Sequence, residues 1–222
     1  MDILFLIIMI VLPILASMNV KRTFKKYSSQ SVSSGHTAEQ IARMILDSNG
    51  LQSTRIEHIS GNLTDHYDPS ANVVRLSDSV YGKTSLSAIG VAAHECGHAC
   101  QHAESYKPIV IRSKIVPVTN ICSKLWYWVF LIGVFIFDAF PALAYIGIAM
   151  FTAVVIFQIV TLPAEFNASG RAVETLRNEL ILDSEEIPAV KKVLTAAAMT
   201  YVTSLVASII QLLRLLLSVR RR

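Results

Sequence analysis

Apolar runs of membrane-crossing length constrain this chain more than any other feature. Ile3 to Val20 carries no charge, and Ala142 to Leu162 is a second such stretch. A helix needs about 20 such residues to cross a hydrocarbon core. Leu125 to Phe137 is shorter and spans only if its helix starts earlier and Lys124 reaches back to the interface. With 53% hydrophobic and 16% charged residues and a mean hydropathy of +0.50, the composition fits a membrane protein and not a soluble domain. The net charge of +4 could suit nucleic acid only if the basic residues formed one stripe. They cluster instead at the ends of apolar runs, so a nucleic-acid partner is not expected and a lipid bilayer is.

Those clusters give an orientation. Lys21, Arg22, Lys25 and Lys26 directly follow the first run, and only Met1 and Asp2 precede it. That flank pattern predicts an uncleaved anchor with its N-terminus outside, and it disfavours a secretory signal peptide, which wants a basic leading region. Lys107, Arg112, Lys114 and Lys124 precede the run Leu125 to Phe137, Arg171, Arg177, Lys191 and Lys192 follow the run Ala142 to Leu162, and the turn Asp138 to Pro141 between these two runs has no basic residue. The expectation is a transmembrane hairpin with its tip outside and both feet in the cytoplasm, in the plasma membrane. The final run, Val193 to Val219, carries Thr200, Ser204, Ser208, Gln211 and Arg214 on one face. A fourth span, an interfacial helix and a lid are all open readings. An interfacial helix at the cytoplasmic side is favoured, because a span would put Arg220, Arg221 and Arg222 outside.

Between anchor and hairpin the pattern changes. Ser28 to Gly35 reads as a Ser-rich linker, Thr37 with Gln40 as a capping box, and Gly50 as a helix stop. Ile41, Ile45 and Leu46 form that helix's core face. Arg55 to Ile59 and Asn72 to Ser77 are short β-type runs, expected as a small hairpin or sheet edge. From Ser85 to about Ala103, apolar residues recur at helical spacing behind a Thr84 or Ser85 cap. Cys96, Cys100 and Cys122 show no CxxC spacing and read as small buried residues in a reducing compartment.

That last helix holds His94-Glu95-Cys96-Gly97-His98. The HExxH spacing sets two imidazoles on one helical face within reach of one ion, and a chain with 6 His rarely shows it by chance. Two neutral histidines suit Zn²⁺, and a catalytic site leaves one position open to water. Glu95, beside the first ligand, can take the proton of the activated water and return it to the leaving amine. His102 lies too far along the helix from His94 to share one ion, and Gln101 and Glu104 exclude the metzincin continuation. Among downstream acids, Glu165 alone stands at the foot of the hairpin. Glu174, Glu179, Glu185 and Glu186 fall on a solvent-like charged segment.

Three stretches, Thr64 to Pro69, Val91 to Ala99 and Leu162 to Ala172, resemble the YugP-type neutral zinc metallopeptidases, bacterial membrane proteins of about this length. The resemblance covers nearly the whole chain, and LPxEFxAS after a hairpin is its specific part. It implies a gluzincin-like site with His94, His98 and Glu165 as ligands to one Zn²⁺ per chain and Glu95 as general base. A remoter similarity is to HtpX-type membrane proteases. Where gluzincins often brace a histidine with an acid one turn after the ligand Glu, this chain has Ser169, whose hydroxyl can take the ring N–H; Asn167 points elsewhere on a regular helix. Arg171 is assigned an oxyanion contact, or a headgroup contact or salt bridge. His66, Tyr67 and Tyr81 are further donors, with structural or surface roles the default. Val73, Val74 and Arg75 lie shortly before the zinc helix, where zincins keep the edge strand that pairs with extended substrate.

The expected fold is a mainly α membrane protein with a zincin-like HExxH helix, a small β element, and a transmembrane hairpin inserted before the third ligand. Its layout is an anchor over 1–20, a linker over 21–36, a cytoplasmic catalytic region over 37–114, the hairpin over 115–162, the third-ligand helix and loop over 163–192, and a C-terminal helix over 193–222. The expected function is zinc-dependent endopeptidase action on membrane-proximal or unfolded polypeptide. A non-catalytic zinc-stabilised scaffold is the alternative, which has no use for Glu95. An intramembrane protease ranks below both, because Gln101, His102 and Glu104 are too polar for lipid.

Overall fold

The computed structural model describes residues 2–220, so Met1, Arg221 and Arg222 lie outside the described residues. In chain order the elements are α1 (Asp2–Tyr27), α2 (Ala38–Ser48), β1 (Arg55–Ile59), β2 (His66–Asp68), β3 (Val73–Ser77), α3 (Leu86–Ala103), α4 (Lys107–Phe135), α5 (Ala142–Asn178) and α6 (Ile187–Arg220). Helix dominates. Within α1, α4, α5 and α6 lie four helical segments long and apolar enough to cross a membrane.

The chain divides into two units, one built from residues 1–15, 107–163 and 200–222, the other from 16–106 and 164–199. In the first, α4 and α5 run antiparallel, with Gly133 against Ala144 and Gly147 against Phe130 at close backbone approach. The apolar cluster of this unit joins Ala144, Ile148, Phe151 and Val155 of α5 to Leu215 and Val219 of α6. The end of α6 therefore lies beside the start of α5, and Arg214 near that end reaches Met9 Sδ of α1 at 3.7 Å. An interfacial helix would not run alongside α5 in this way. The polar face that suggested one is partly satisfied internally, since Arg214 donates to Gln211 Oε1 one turn back at 3.3 Å.

The second unit has α3 at its centre. Small residues Ala88, Ala92, Ala93, Cys96 and Ala99 let it sink into a core shared with Ile41, Ile45 and Leu46 of α2, Val74 and Leu76 of β3, Ala172 and Leu176 of α5, and Val190 of α6. Gln40 Oε1 accepts the Thr37 N–H at 2.9 Å and starts α2 as expected, and Gly50 ends it at φ +74°. Two expectations change here. The segment over 21–36 is in part helical and packed: Lys21 to Tyr27 continue α1, Val32 is buried, and its N–H donates to Thr84 O at 2.9 Å. The sheet is also not a hairpin of the two runs read from sequence. Its order is β1-β3-β2, with β1 parallel to β3 and the three-residue β2 antiparallel to it.

Candidate metal centre

Ser85 opens α3 by accepting the Ala88 N–H on its hydroxyl at 3.3 Å. With one side of the helix committed to the core, His94 and His98 project together from another, their rings edge to face with centroids 4.7 Å apart. Glu165 of α5 comes in opposite them. Its Oε2 lies 3.4 Å from His94 Nε2 and 3.6 Å from His98 Nε2. Burial by itself disfavours an imidazolium at His98, yet the Glu165 and Glu95 carboxylates outweigh it and the net shift is upward. The pocket thus concentrates negative charge where a cation would neutralise it.

Both rings are held from behind. Ser169 Oγ stands 3.1 Å from His94 Nδ1, one turn along α5 from Glu165. His98 Nδ1 meets Gln101 Oε1 at 3.0 Å, a contact the sequence reading missed although Gln101 sits one turn on in the same helix. Arg171 forms the salt bridge that is one of the alternatives offered for it: its two terminal nitrogens grip the Glu104 carboxylate at 2.7 Å each, and its Nε donates to Asn167 Oδ1 at 2.8 Å. The same pairing holds the Glu104 carboxyl below its ordinary range.

Glu95 is buried, and its Oε2 accepts the Tyr67 N–H from β2 at 3.0 Å. The strand beside the HExxH helix is thus β2. Val73, Val74 and Arg75 cannot take a substrate strand, because they pair with β1 on one side and β2 on the other. Val73, Val74, Leu76 and Ser77 are buried on both faces of β3, as a central strand requires. Tyr67 gives its hydroxyl to Asn72, His66 faces the Thr64 carbonyl, and Tyr81 packs against His58. Glu174 and Glu179 line a cavity on a different face of α3, with Gly97 and Cys100.

A model of the family described as "Putative neutral zinc metallopeptidase" matches residues 2–220. The chain belongs to this family. It is 48% identical over 199 residues, covering 90% of this chain and 88% of the relative, to the Bacillus subtilis (strain 168) protein named "Putative membrane protease YugP". No solved structure matches.

For this zinc metallopeptidase family member the metal is Zn²⁺, and His94, His98 and Glu165 form a group able to hold it. The donor set fits. In a tetrahedral site with bonds of about 2.0–2.1 Å the ligand atoms stand roughly 3.3 Å apart, close to the separations from Glu165 to the two imidazoles. The rearward partners at both Nδ1 atoms leave both Nε2 atoms facing Glu165, the arrangement a metal-ligating histidine requires.

Proposed function

We propose that this family member is a membrane-anchored zinc endopeptidase with His94, His98 and Glu165 as ligands and Glu95 as general base. The observation that carries the reading is the convergence of His94 and His98 on the buried Glu165 carboxylate, whose Oε2 is 3.4 and 3.6 Å from their Nε2 atoms, with a second buried carboxylate, Glu95, on the helix of the histidines. Bound zinc supplies a Lewis acid that polarises the scissile carbonyl and acidifies water. Glu95 receives the water proton and passes it to the leaving amine. Its Oε2 is held by the Tyr67 N–H, leaving Oε1 for that transfer, and burial keeps competing water away. A structural zinc needs no such base, which weighs against a scaffold.

In this reading the substrate is membrane-proximal or unfolded polypeptide, whose extended backbone can reach a buried site that a folded domain cannot. The membrane arrangement is four spans with the active site on the cytoplasmic side of the plasma membrane. Support comes from the basic residues at the end of α1 and start of α4, and from the tip over 138–141 that lacks them. Because α6 runs beside α5 and α1, this arrangement puts Arg220 on the outer side, and the apolar packing of Leu215 and Val219 outweighs that charge. The test is comparative proteomics of membranes from cells carrying the wild type or Glu95→Gln. Peptides with new termini that appear only with the wild type support the proposal, and identical peptide sets refute it.

A further inference from the structure

The hydrogen bonds behind His98 extend from α3 to α5. Gln101 is fully buried. Its Nε2 has two hydrogens and both are used, one on the Ala164 carbonyl at 2.8 Å and one on Asn167 Oδ1 at 2.9 Å. A flipped amide would push its oxygen against two acceptor oxygens. Asn167 cannot relieve that by flipping in turn, because its Oδ1 also accepts Arg171 Nε–H at 2.8 Å. Arg171 is fixed by the two-pronged Glu104 bridge. The orientation of Gln101 is therefore determined by its neighbours, and Oε1 is the atom that faces His98 Nδ1 at 3.0 Å. An amide oxygen only accepts. Nδ1 must carry a proton, so the neutral ring has its lone pair on Nε2, on the side of Glu165. His94 has no equivalent device, since the Ser169 hydroxyl can donate to Nδ1 or accept from it.

We infer that Gln101 is a positioning residue: it holds His98 in the tautomer protonated on Nδ1 and so keeps Nε2 available to the metal, while Asn167, Arg171 and Glu104 act through it by fixing its amide. This rests on the reading of His98 as a zinc ligand. The chain from Glu104 to His98 links α3 to α5, the helix that brings Glu165, so one network sets both the tautomer and the approach of the third ligand.

The test uses the full chain in detergent, measuring Zn²⁺ affinity by chelator competition for the wild type, His98→Ala, Gln101→Leu and Gln101→Glu, with ¹⁵N-histidine spectra of the metal-free forms recorded at a pH high enough for the imidazoles to be neutral. Gln101→Leu removes the acceptor, and its zinc affinity should fall about 10–100-fold, as losing a partner behind a ligating histidine typically does. Gln101→Glu gives up both donor bonds but keeps an acceptor, so it should unfold at a lower temperature yet bind zinc within about threefold of the wild type. The His98 signal should report Nδ1–H in the wild type and Gln101→Glu, and a mixture of tautomers in Gln101→Leu. If Gln101 merely tied the helices together, the Glu variant would lose at least as much zinc affinity as the Leu variant, and that result overturns the inference. So does wild-type affinity in Gln101→Leu. Undiminished affinity in His98→Ala would instead overturn the ligand reading on which the inference stands.

Discussion

Gly97, inside the HExxH motif, packs directly against the backbone of the third-ligand helix α5. A Cβ added there would lie 2.6 Å from the Ala168 carbonyl oxygen and 3.2 Å from its C and Cα. Carbon and carbonyl oxygen settle at roughly 3.3 Å, so Gly97→Ala must open this contact by roughly 0.7 Å. Both neighbours are helix backbone, and neither can step aside as a side chain would. Gly97 precedes His98, and Ala168 lies between Glu165 and Ser169. The strain falls on the separation of the imidazoles from the carboxylate. Zinc sites tolerate deviations of about 0.2 Å in ligand distances, a fraction of that opening. We expect Gly97→Ala to destabilise the metal-free chain by about 1–3 kcal/mol, the usual cost of overpacking, and to weaken zinc binding about tenfold or more. Two other glycines calibrate the effect. At Gly90 the added carbon meets only Val190 Cγ1 at 3.1 Å, a side chain that can turn, and at the exposed Gly170 it meets nothing within 4 Å. Gly90→Ala should be milder, and Gly170→Ala should gain about 0.5–1 kcal/mol from helix propensity with zinc binding unchanged. Thermal unfolding and chelator competition on the three variants provide the measurements. Wild-type stability and zinc affinity in Gly97→Ala would refute the reasoning, because the helices would then not be held at the distance that sets the site.

Further expectations concern the third ligand, its neighbour and the topology. Purified Glu165→Ala should hold markedly less zinc than the wild type after dialysis against a weak chelator. Glu174→Ala and Glu179→Ala should keep theirs, since both acids face a cavity away from the imidazoles. Ser169→Ala removes the partner behind His94 and should weaken zinc affinity by up to about tenfold while sparing the fold. In intact cells, with the native cysteines replaced, an impermeant thiol reagent should label a cysteine at the exposed Ala139 and miss one at the exposed Gln52. Labelling at Gln52 alone would reverse the orientation drawn from Lys21 to Lys26.

Local signals reached the sequence intact. Ser85, the HExxH spacing and the small residues behind it depend on neighbours within a turn or two, so α3 and its two histidines were legible. Glu165 was reachable because the chain returns at the end of a long apolar run and the first acid there is unambiguous. What failed depends on contacts between distant segments. β2 has three residues and no period of its own, so nothing marked Val73 to Arg75 as the middle of the sheet rather than its edge. Arg171 meets Glu104 across 67 positions, and an isolated guanidinium gives no hint of that partner. The polar face of α6 pointed to an interface because the bond from Arg214 to Gln211 and its contact with Met9 of α1 do not appear in hydropathy. Gln101 could have been found: one turn after a ligating histidine is where an acceptor for its Nδ1 proton can stand.

The central claim is that this chain holds one zinc ion at His94, His98 and Glu165 and uses Glu95 to cleave peptide bonds with it. The most direct measurement is a titration of the metal-stripped full chain with Zn²⁺, reading bound zinc and cleavage of reduced, unfolded casein on the same samples, for the wild type and Glu95→Gln. The account predicts that cleavage by the wild type rises with bound zinc and saturates at one ion per chain. Glu95→Gln should bind the same amount and cleave orders of magnitude more slowly. Cleavage that survives stripping, or a Glu95→Gln variant as active as the wild type, would contradict it.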